Sequence, residues 1–166
     1  YMRLGIYIHI PFCKSRCFYC DFCSMVSNND KIIEEYFNAL VREIMQNAEL
    51  LAENEVDTIY IGGGTPSLVP SCYICDVLNL ISSCTRITDD AEITIELNPE
   101  SITAENLEMY KKHGVNRISM GLQSANDNVL KAIGRTSTKQ MFIDAYDKVV
   151  NEGFTNISTD IICGLP

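Results

Sequence analysis

The chain has 166 residues, of which 46% are apolar and 21% charged, and its formal net charge is −9. That length carries one domain with its own core, and a composition near the globular average excludes a long disordered tail. The acidic balance excludes a general nucleic-acid binder, which needs a basic stripe or patch; no apolar run is long enough for a transmembrane segment, and the opening residues do not form a signal peptide.

Met2 reads as a natural start, with Tyr1 an extra residue before it. Strand-like and helix-like segments then alternate. Leu4–Ile10 is a short β-rich run that ends at Pro11. Asp30 is expected to cap a helix running to about Leu51, because Ile33, Tyr36, Phe37, Leu40, Val41, Ile44 and Met45 recur at helical spacing. Val56–Ile61 is the second strand, stopped by Gly62-Gly63-Gly64. A helix over Ser71–Ser83 precedes a strand over Glu92–Leu97 that Asn98-Pro99 ends. Thr103–His113 reads as a helix closed by Gly114. Arg117–Leu122 is the fourth strand. Helices near Asp127–Ile133 and Lys139–Asn151 lead to a last strand at Asn156–Cys163.

This order implies an α/β fold with parallel strands and right-handed crossovers. Cys13 to Cys20, Gly62–Thr65, Glu96, Gln123 and Asp160 all fall at or just beyond strand C-terminal ends, the face where barrel active sites are built, so a partial (β/α) barrel is expected over an open sheet. A complete barrel takes about 250 residues, and about five strand–helix units are visible. Residues 1–166 are therefore expected to form an incomplete core domain, with the remaining barrel and a C-terminal domain absent.

Eight cysteines in a chain of this length, without an export signal, fit reduced thiols and a cytoplasmic location better than a disulfide scaffold. Three of them stand in a loop after the first strand, Cys13-Lys14-Ser15-Arg16-Cys17-Phe18-Tyr19-Cys20, with spacing C-x3-C-x2-C. Three thiolates can hold three irons of a cubane cluster and leave the fourth iron open. Gly62-Gly63-Gly64-Thr65 is no phosphate loop, since no Gly-Lys-Ser/Thr follows; its glycines let the backbone approach a ligand closely. Glu96 follows alternating strand residues and should point into the mouth of the barrel, where it needs partners: ligand hydroxyls or a neighbouring cation.

The words around these residues resemble one family. Tyr7-Ile8-His9-Ile10-Pro11-Phe12-Cys13, Gly62-Gly63-Gly64-Thr65-Pro66-Ser67, Ile95-Glu96-Leu97-Asn98-Pro99-Glu100, Gly121-Leu122-Gln123-Ser124 and Asp160-Ile161-Ile162-Cys163-Gly164-Leu165-Pro166 are similar, in order, to five motifs of the coproporphyrinogen III oxidase-like family of radical S-adenosylmethionine (SAM) proteins. That resemblance implies a partial radical SAM barrel, a [4Fe–4S] cluster on Cys13, Cys17 and Cys20, and SAM on the open iron. The oxidases proper carry a further cysteine two residues after the third; here Phe22 stands there, as in the haem chaperone (HemW) branch. Cys23 is one residue further on, without an assigned role.

By the same resemblance, carbonyls of Gly63 and Gly64 accept from the SAM amine and Thr65 shapes their loop. Glu96 takes the ribose, Gln123 the nucleoside, Arg135 the SAM carboxylate through its guanidinium fork, and Asp160 the ribose or a neighbouring ligand. Tyr7 and Tyr19 are expected beside SAM or in plain core packing. His9 is a ligand, a proton shuttle or a partner for a backbone carbonyl. Cys72 and Cys75 are not expected to bind metal, Cys84 and Cys163 are expected to be core thiols, His113 a helix-capping charge, and Glu49–Asp57 a solvated surface.

Three functions stay open: a haem chaperone, a coproporphyrinogen III dehydrogenase that abstracts hydrogen from propionates, and a non-catalytic cluster-binding fragment. The partners implied are SAM, haem or a porphyrinogen, and a low-potential electron donor such as flavodoxin or ferredoxin. For the catalytic readings the shared chemistry is one-electron cleavage of SAM.

Overall fold

The computed structural model describes residues 2–27 and 29–165; the readings of Tyr1 and Pro166 lie outside the described residues. In chain order the elements are β1 (Arg3–Ile10), β2 (Phe12–Cys13), β3 (Met25–Val26), α1 (Asp30–Gln46), α2 (Ala48–Ala52), β4 (Glu55–Gly63), α3 (Ser71–Cys84), β5 (Arg86–Leu97), α4 (Ala104–Lys112), β6 (Arg117–Gln123), α5 (Asp127–Ala132), α6 (Lys139–Asn151) and β7 (Asn156–Ile161). Five strands form one sheet in the order β1-β4-β5-β6-β7, every neighbour parallel. This is the parallel α/β arrangement expected of the alternating pattern. The short strands β2 and β3 make a separate parallel pair, Phe12 opposite Met25 and Cys13 opposite Val26.

The register gives the two faces of the sheet different compositions. Ile8, Ile61, Ile95, Ile118 and Ile157 lie side by side across all five strands. They belong to the apolar core or pack against it, together with Ile74, Leu78 and Ile81 of α3 and Leu107 and Tyr110 of α4. Burying one such isoleucine contributes on the order of 2 kcal/mol. The alternate positions face the other way: Glu96 lies beside Ser119, Ser119 beside Ser158, and Gly121 beside Asp160. One layer below, Arg117 donates to Thr94 Oγ1 at 3.2 Å and to Ser158 Oγ at 3.0 Å, so that buried polar groups on this face have partners.

Several boundaries differ from the sequence reading. The first helix is capped by Asn29, whose side chain accepts from the Lys31 N–H at 3.0 Å, and Asp30 is its first helical residue. It stops at Gln46 instead of reaching Leu51. Asn47 there folds its own amide back onto Glu43 O at 2.8 Å, a local bond that competes with helix continuation. Glu49–Asp57 is not simply solvated surface: it holds α2 and the start of β4, buries Leu51, Asn54 and Val56, and pairs Glu55 with Arg86 and Asp57 with Arg3. The Glu55–Arg86 pair at 2.9 Å accompanies an early start of β5, at Arg86 where Glu92 was expected. The last strand ends at Ile161, and Cys163 beyond it is exposed, while Cys84 is half-buried against the core. Cys163 is therefore not among the core residues of this structure, contrary to expectation.

Other readings hold. Thr103 caps α4 by accepting from the Asn106 N–H, and His113 closes it, its Nδ1 2.7 Å from Met109 O, before Gly114 at φ 91°. Among the described residues no helix is long and apolar enough to cross a membrane.

Candidate functional site

A cavity of about 610 Å³ opens at the C-terminal ends of the strands. The loop after β1 contributes Cys13, Cys17, Tyr19 and Cys20; the end of β4 contributes Gly63, Gly64 and Thr65; β5, β6 and β7 contribute Glu96, Gln123 and Asp160, and Arg135 enters after α5. Tyr7 falls outside. It is 59% exposed on β1 and stacks on Tyr60 with ring centres 6.1 Å apart; Tyr60 in turn donates to Glu96 Oε1 at 2.7 Å.

The cysteine loop and the glycine loop are built as one piece. Gly64 N–H donates to Ile10 O at 2.7 Å, Thr65 N–H to Phe12 O at 2.8 Å, and the Thr65 hydroxyl lies 3.8 Å from Cys13 Sγ. Gly63 N–H donates to Glu96 Oε2 at 3.1 Å. With these three amides spent inside the protein, the loop offers carbonyl oxygens to a ligand, which suits an ammonium group and not a phosphate. Each glycine is required by a different neighbour. A Cβ on Gly62 would sit 2.8 Å from the Tyr60 ring and 2.9 Å from Glu96 Cδ, on Gly63 2.6 Å from the His9 ring, and on Gly64 2.7 Å from Phe12 O and 3.0 Å from Cys13 Sγ. Gly63 also adopts φ 115°, which side chains disfavour.

His9 serves as a bridge. Its Nε2 lies 2.7 Å from Cys23 O and its Nδ1 3.0 Å from Tyr7 Oη; if Nε2–H donates to the carbonyl, neutral Nδ1 accepts from the tyrosine. Of its three readings, the backbone partner is the one seen. Cys23 itself is exposed and does not line the cavity, whereas Phe22 does. Cys72 is exposed and Cys75 buried; burial pushes the Cys75 thiol up to about 11.

Glu96 has Tyr60 and the Gly63 amide as partners, so the cation offered by the sequence reading is not what holds it. Burial first, then the hydrogen bond to Glu96, raises the Tyr60 hydroxyl well above the ordinary tyrosine value. The Tyr19 hydroxyl is pushed up to about 12, chiefly by burial; the Arg135 charge opposes that rise and the Cys17 and Cys20 thiols reinforce it. Gln123 takes φ 64°, the only non-glycine among the described residues with positive φ, and its amide lies where a Cβ on Gly121 would be, 2.6 Å from Nε2. Strain at the end of a strand, facing a cavity, is a mark of a functional position.

Arg135 Nη2 donates to Asn98 Oδ1 at 2.6 Å and to Gly121 O at 2.9 Å, while its buried Nε has no partner. A buried guanidinium donor left open beside a cavity fits an anionic ligand group. The donor set tests the cluster similarly. Cys13, Cys17 and Cys20 are unpaired thiols on one cavity, and no other cysteine lines it. Among the described residues no three His, Cys, Asp or Glu converge on a point where a single ion would sit. Three soft donors lining one cavity are the donor type an iron–sulfur group takes. Tyr60, Asn98 and Glu100 belong to this site without having been singled out. Tyr60 was legible in principle, two residues before Gly62 and hence on the same face of β4.

Comparison with known proteins agrees with this geometry. The model of the Radical SAM superfamily matches residues 7–166. A heme chaperone HemW of Buchnera aphidicola subsp. Schizaphis graminum is 39% identical over 165 residues, covering 98% of this chain and 43% of the relative. The oxygen-independent coproporphyrinogen III oxidase of Salmonella typhimurium is 32% identical, covering 98% and 36%. The solved structure of coproporphyrinogen III oxidase (HemN) from Escherichia coli, a radical SAM enzyme, superposes with a TM-score of 0.90 at 32% identity, over 98% of this chain and 37% of that one. The chain thus spans about two fifths of the length of the relatives it matches.

Proposed function

The chain belongs to the Radical SAM superfamily, and from that premise we propose that it is the cluster- and SAM-binding core of a haem chaperone-like protein. Membership implies a [4Fe–4S] cluster and SAM. The observation that carries the assignment of residues is that Cys13, Cys17 and Cys20 line one cavity together, with Phe22 and no fourth cysteine beside them. When bound, the two groups supply one-electron reductive cleavage of a SAM carbon–sulfur bond.

The residues divide the work by chemistry. Cys13, Cys17 and Cys20 hold the cluster, and the Thr65 hydroxyl facing Cys13 Sγ helps tune its potential. Carbonyls of Gly63 and Gly64 accept from the SAM amine, their amides being engaged elsewhere. Arg135, fixed at Nη2 and lining the cavity, offers its guanidinium to the SAM carboxylate. Glu96, anchored by Tyr60 and Gly63, accepts from ribose hydroxyls, and Gln123 and Asp160 complete the nucleoside side. Tyr19 packs beside them. Tyr7 acts from behind Tyr60 and not at SAM itself.

Haem delivery is favoured by Phe22, and a reducing, cytoplasmic setting by eight unpaired cysteines. A flavodoxin or ferredoxin supplies the electron. A second reading, coproporphyrinogen III dehydrogenase, is favoured by the backbone likeness to the E. coli oxidase. Residues 1–166 form a radical SAM core domain under either reading. Cys17→Ser is expected to abolish the visible chromophore and iron content after anaerobic reconstitution; an unchanged spectrum rejects the assignment. Haem titration and porphyrinogen decarboxylation assays on the full protein then separate the two readings. Binding without decarboxylation supports the chaperone, and decarboxylation supports the oxidase.

A further inference from the structure

Glu100 lies in the short turn Pro99–Ser101 after β5, and its side chain is only 9% exposed. Its Oε2 is 3.8 Å from Lys14 Nζ and accepts from the Thr136 hydroxyl at 2.7 Å. Lys14 follows Cys13, and Thr136 follows Arg135, so one buried carboxylate joins the cysteine loop to the turn that carries the open guanidinium donor. A second tether fastens the far side of the same loop. Phe18 N–H donates to Ile133 O at 2.9 Å, and the Phe18 ring lies 3.4 Å from the position of a Cβ on Gly134. Beside the main cavity lies another of about 520 Å³, and Lys14, Thr65 and Glu100 line both. The ion pair therefore stands in the partition between them.

We propose that Lys14 and Glu100 are positioning residues: their charge pair latches the cysteine loop to the Arg135 turn and sets the electron affinity of the cluster held there. This rests on the cluster-binding reading above. A carboxylate so buried requires partners, and the pair supplies them. The two charges act on the cluster with opposite sign. Adding an electron to an already negative cluster is opposed by a nearby anion and helped by a nearby cation. The Lys14 side chain is 60% exposed, so water screens it more than it screens Glu100. The carboxylate is the stronger lever.

The test compares anaerobically reconstituted Glu100→Gln and Lys14→Met with the parent chain by spectroscopic redox titration. Glu100→Gln keeps the shape and should raise the midpoint potential; Lys14→Met should lower it by less. Shifts of one sign in both variants, or none, overturn the electrostatic role, since a loss of packing alone does not reverse sign with charge. The latch is read on metal-free protein by limited trypsin cleavage after Arg16, which should be severalfold faster in Glu100→Ala and in Lys14→Met. Equal rates overturn the latch. If the parent chain fails to load a cluster, it is the functional reading that fails, and the trypsin rates still decide the latch.

Discussion

The two faces of the sheet solve opposite problems with the same backbone. On one, a row of isoleucines from all five strands packs against helices and is held by volume alone. On the other, the alternating positions carry Glu96, Ser119, Gly121 and Asp160, held by hydrogen bonds and by glycines that admit close approach. A strand has period two, so each β-strand contributes to both faces at once. The first face tolerates change that keeps size, whereas the second tolerates almost none that keeps chemistry.

Stability should therefore respond to one face and ligand binding to the other. The largest effect is expected at Ile118, which is fully buried within the isoleucine row, flanked by Ile95 and Ile157. Ile118→Ala should cost about 3 to 4 kcal/mol in denaturant unfolding; a loss below about 1 kcal/mol would show that the row does not carry the fold. Gly63→Ala straddles the comparison. Its φ of 115° and the His9 ring at 2.6 Å predict about 2 kcal/mol of destabilisation together with weaker SAM binding, and an unaltered melting curve would contradict the strain. Arg135→Ala belongs wholly to the second face. SAM affinity should fall by roughly tenfold or more, as for a lost charge-assisted bond, while the cluster chromophore stays. Calorimetry giving equal affinity would remove Arg135 from the site. The smallest effect concerns Tyr110, fully buried with a hydroxyl that has no partner. Tyr110→Phe should be neutral or stabilising by up to about 1 kcal/mol, and a clear destabilisation would mean that the hydroxyl is engaged.

Much of this division was legible before any coordinates. Val56–Ile61 buries Val56, Ile59 and Ile61 and leaves Asp57, Thr58 and Tyr60 less covered, as a strand with one packed face does, and the glycine, asparagine and glutamine that end the strands mark where the chain turns into the cavity. The cysteine spacing pointed to the site because three thiols after one strand have few other uses. Apart from the local break at Asn47, what escaped the reading depends on partners far along the chain. The break at Asn47 is a side-chain bond to Glu43, and the early start of β5 follows Glu55 across the ladder. The β2–β3 pair joins segments too short to show a period. Tyr60, Asn98 and Glu100 matter through what they touch, namely Glu96, Arg135 and Lys14, at separations no local pattern records. Tyr7, expected beside the ligand or in the core, is exposed and stacks on Tyr60.

The three consecutive glycines carry one more implication, for engineering. Because Gly62, Gly63 and Gly64 are confined by a carboxylate, an imidazole and a backbone carbonyl with a thiol, respectively, a saturation library over them would probe three separate walls. Tolerance at the first would require trimming both Tyr60 and Glu96, and at the second trimming His9 would still leave a side chain strained at φ 115°. At the third, no side-chain exchange relieves the Phe12 and Ile10 carbonyls, so the second and third codons both resist change and the first is the most evolvable of the three.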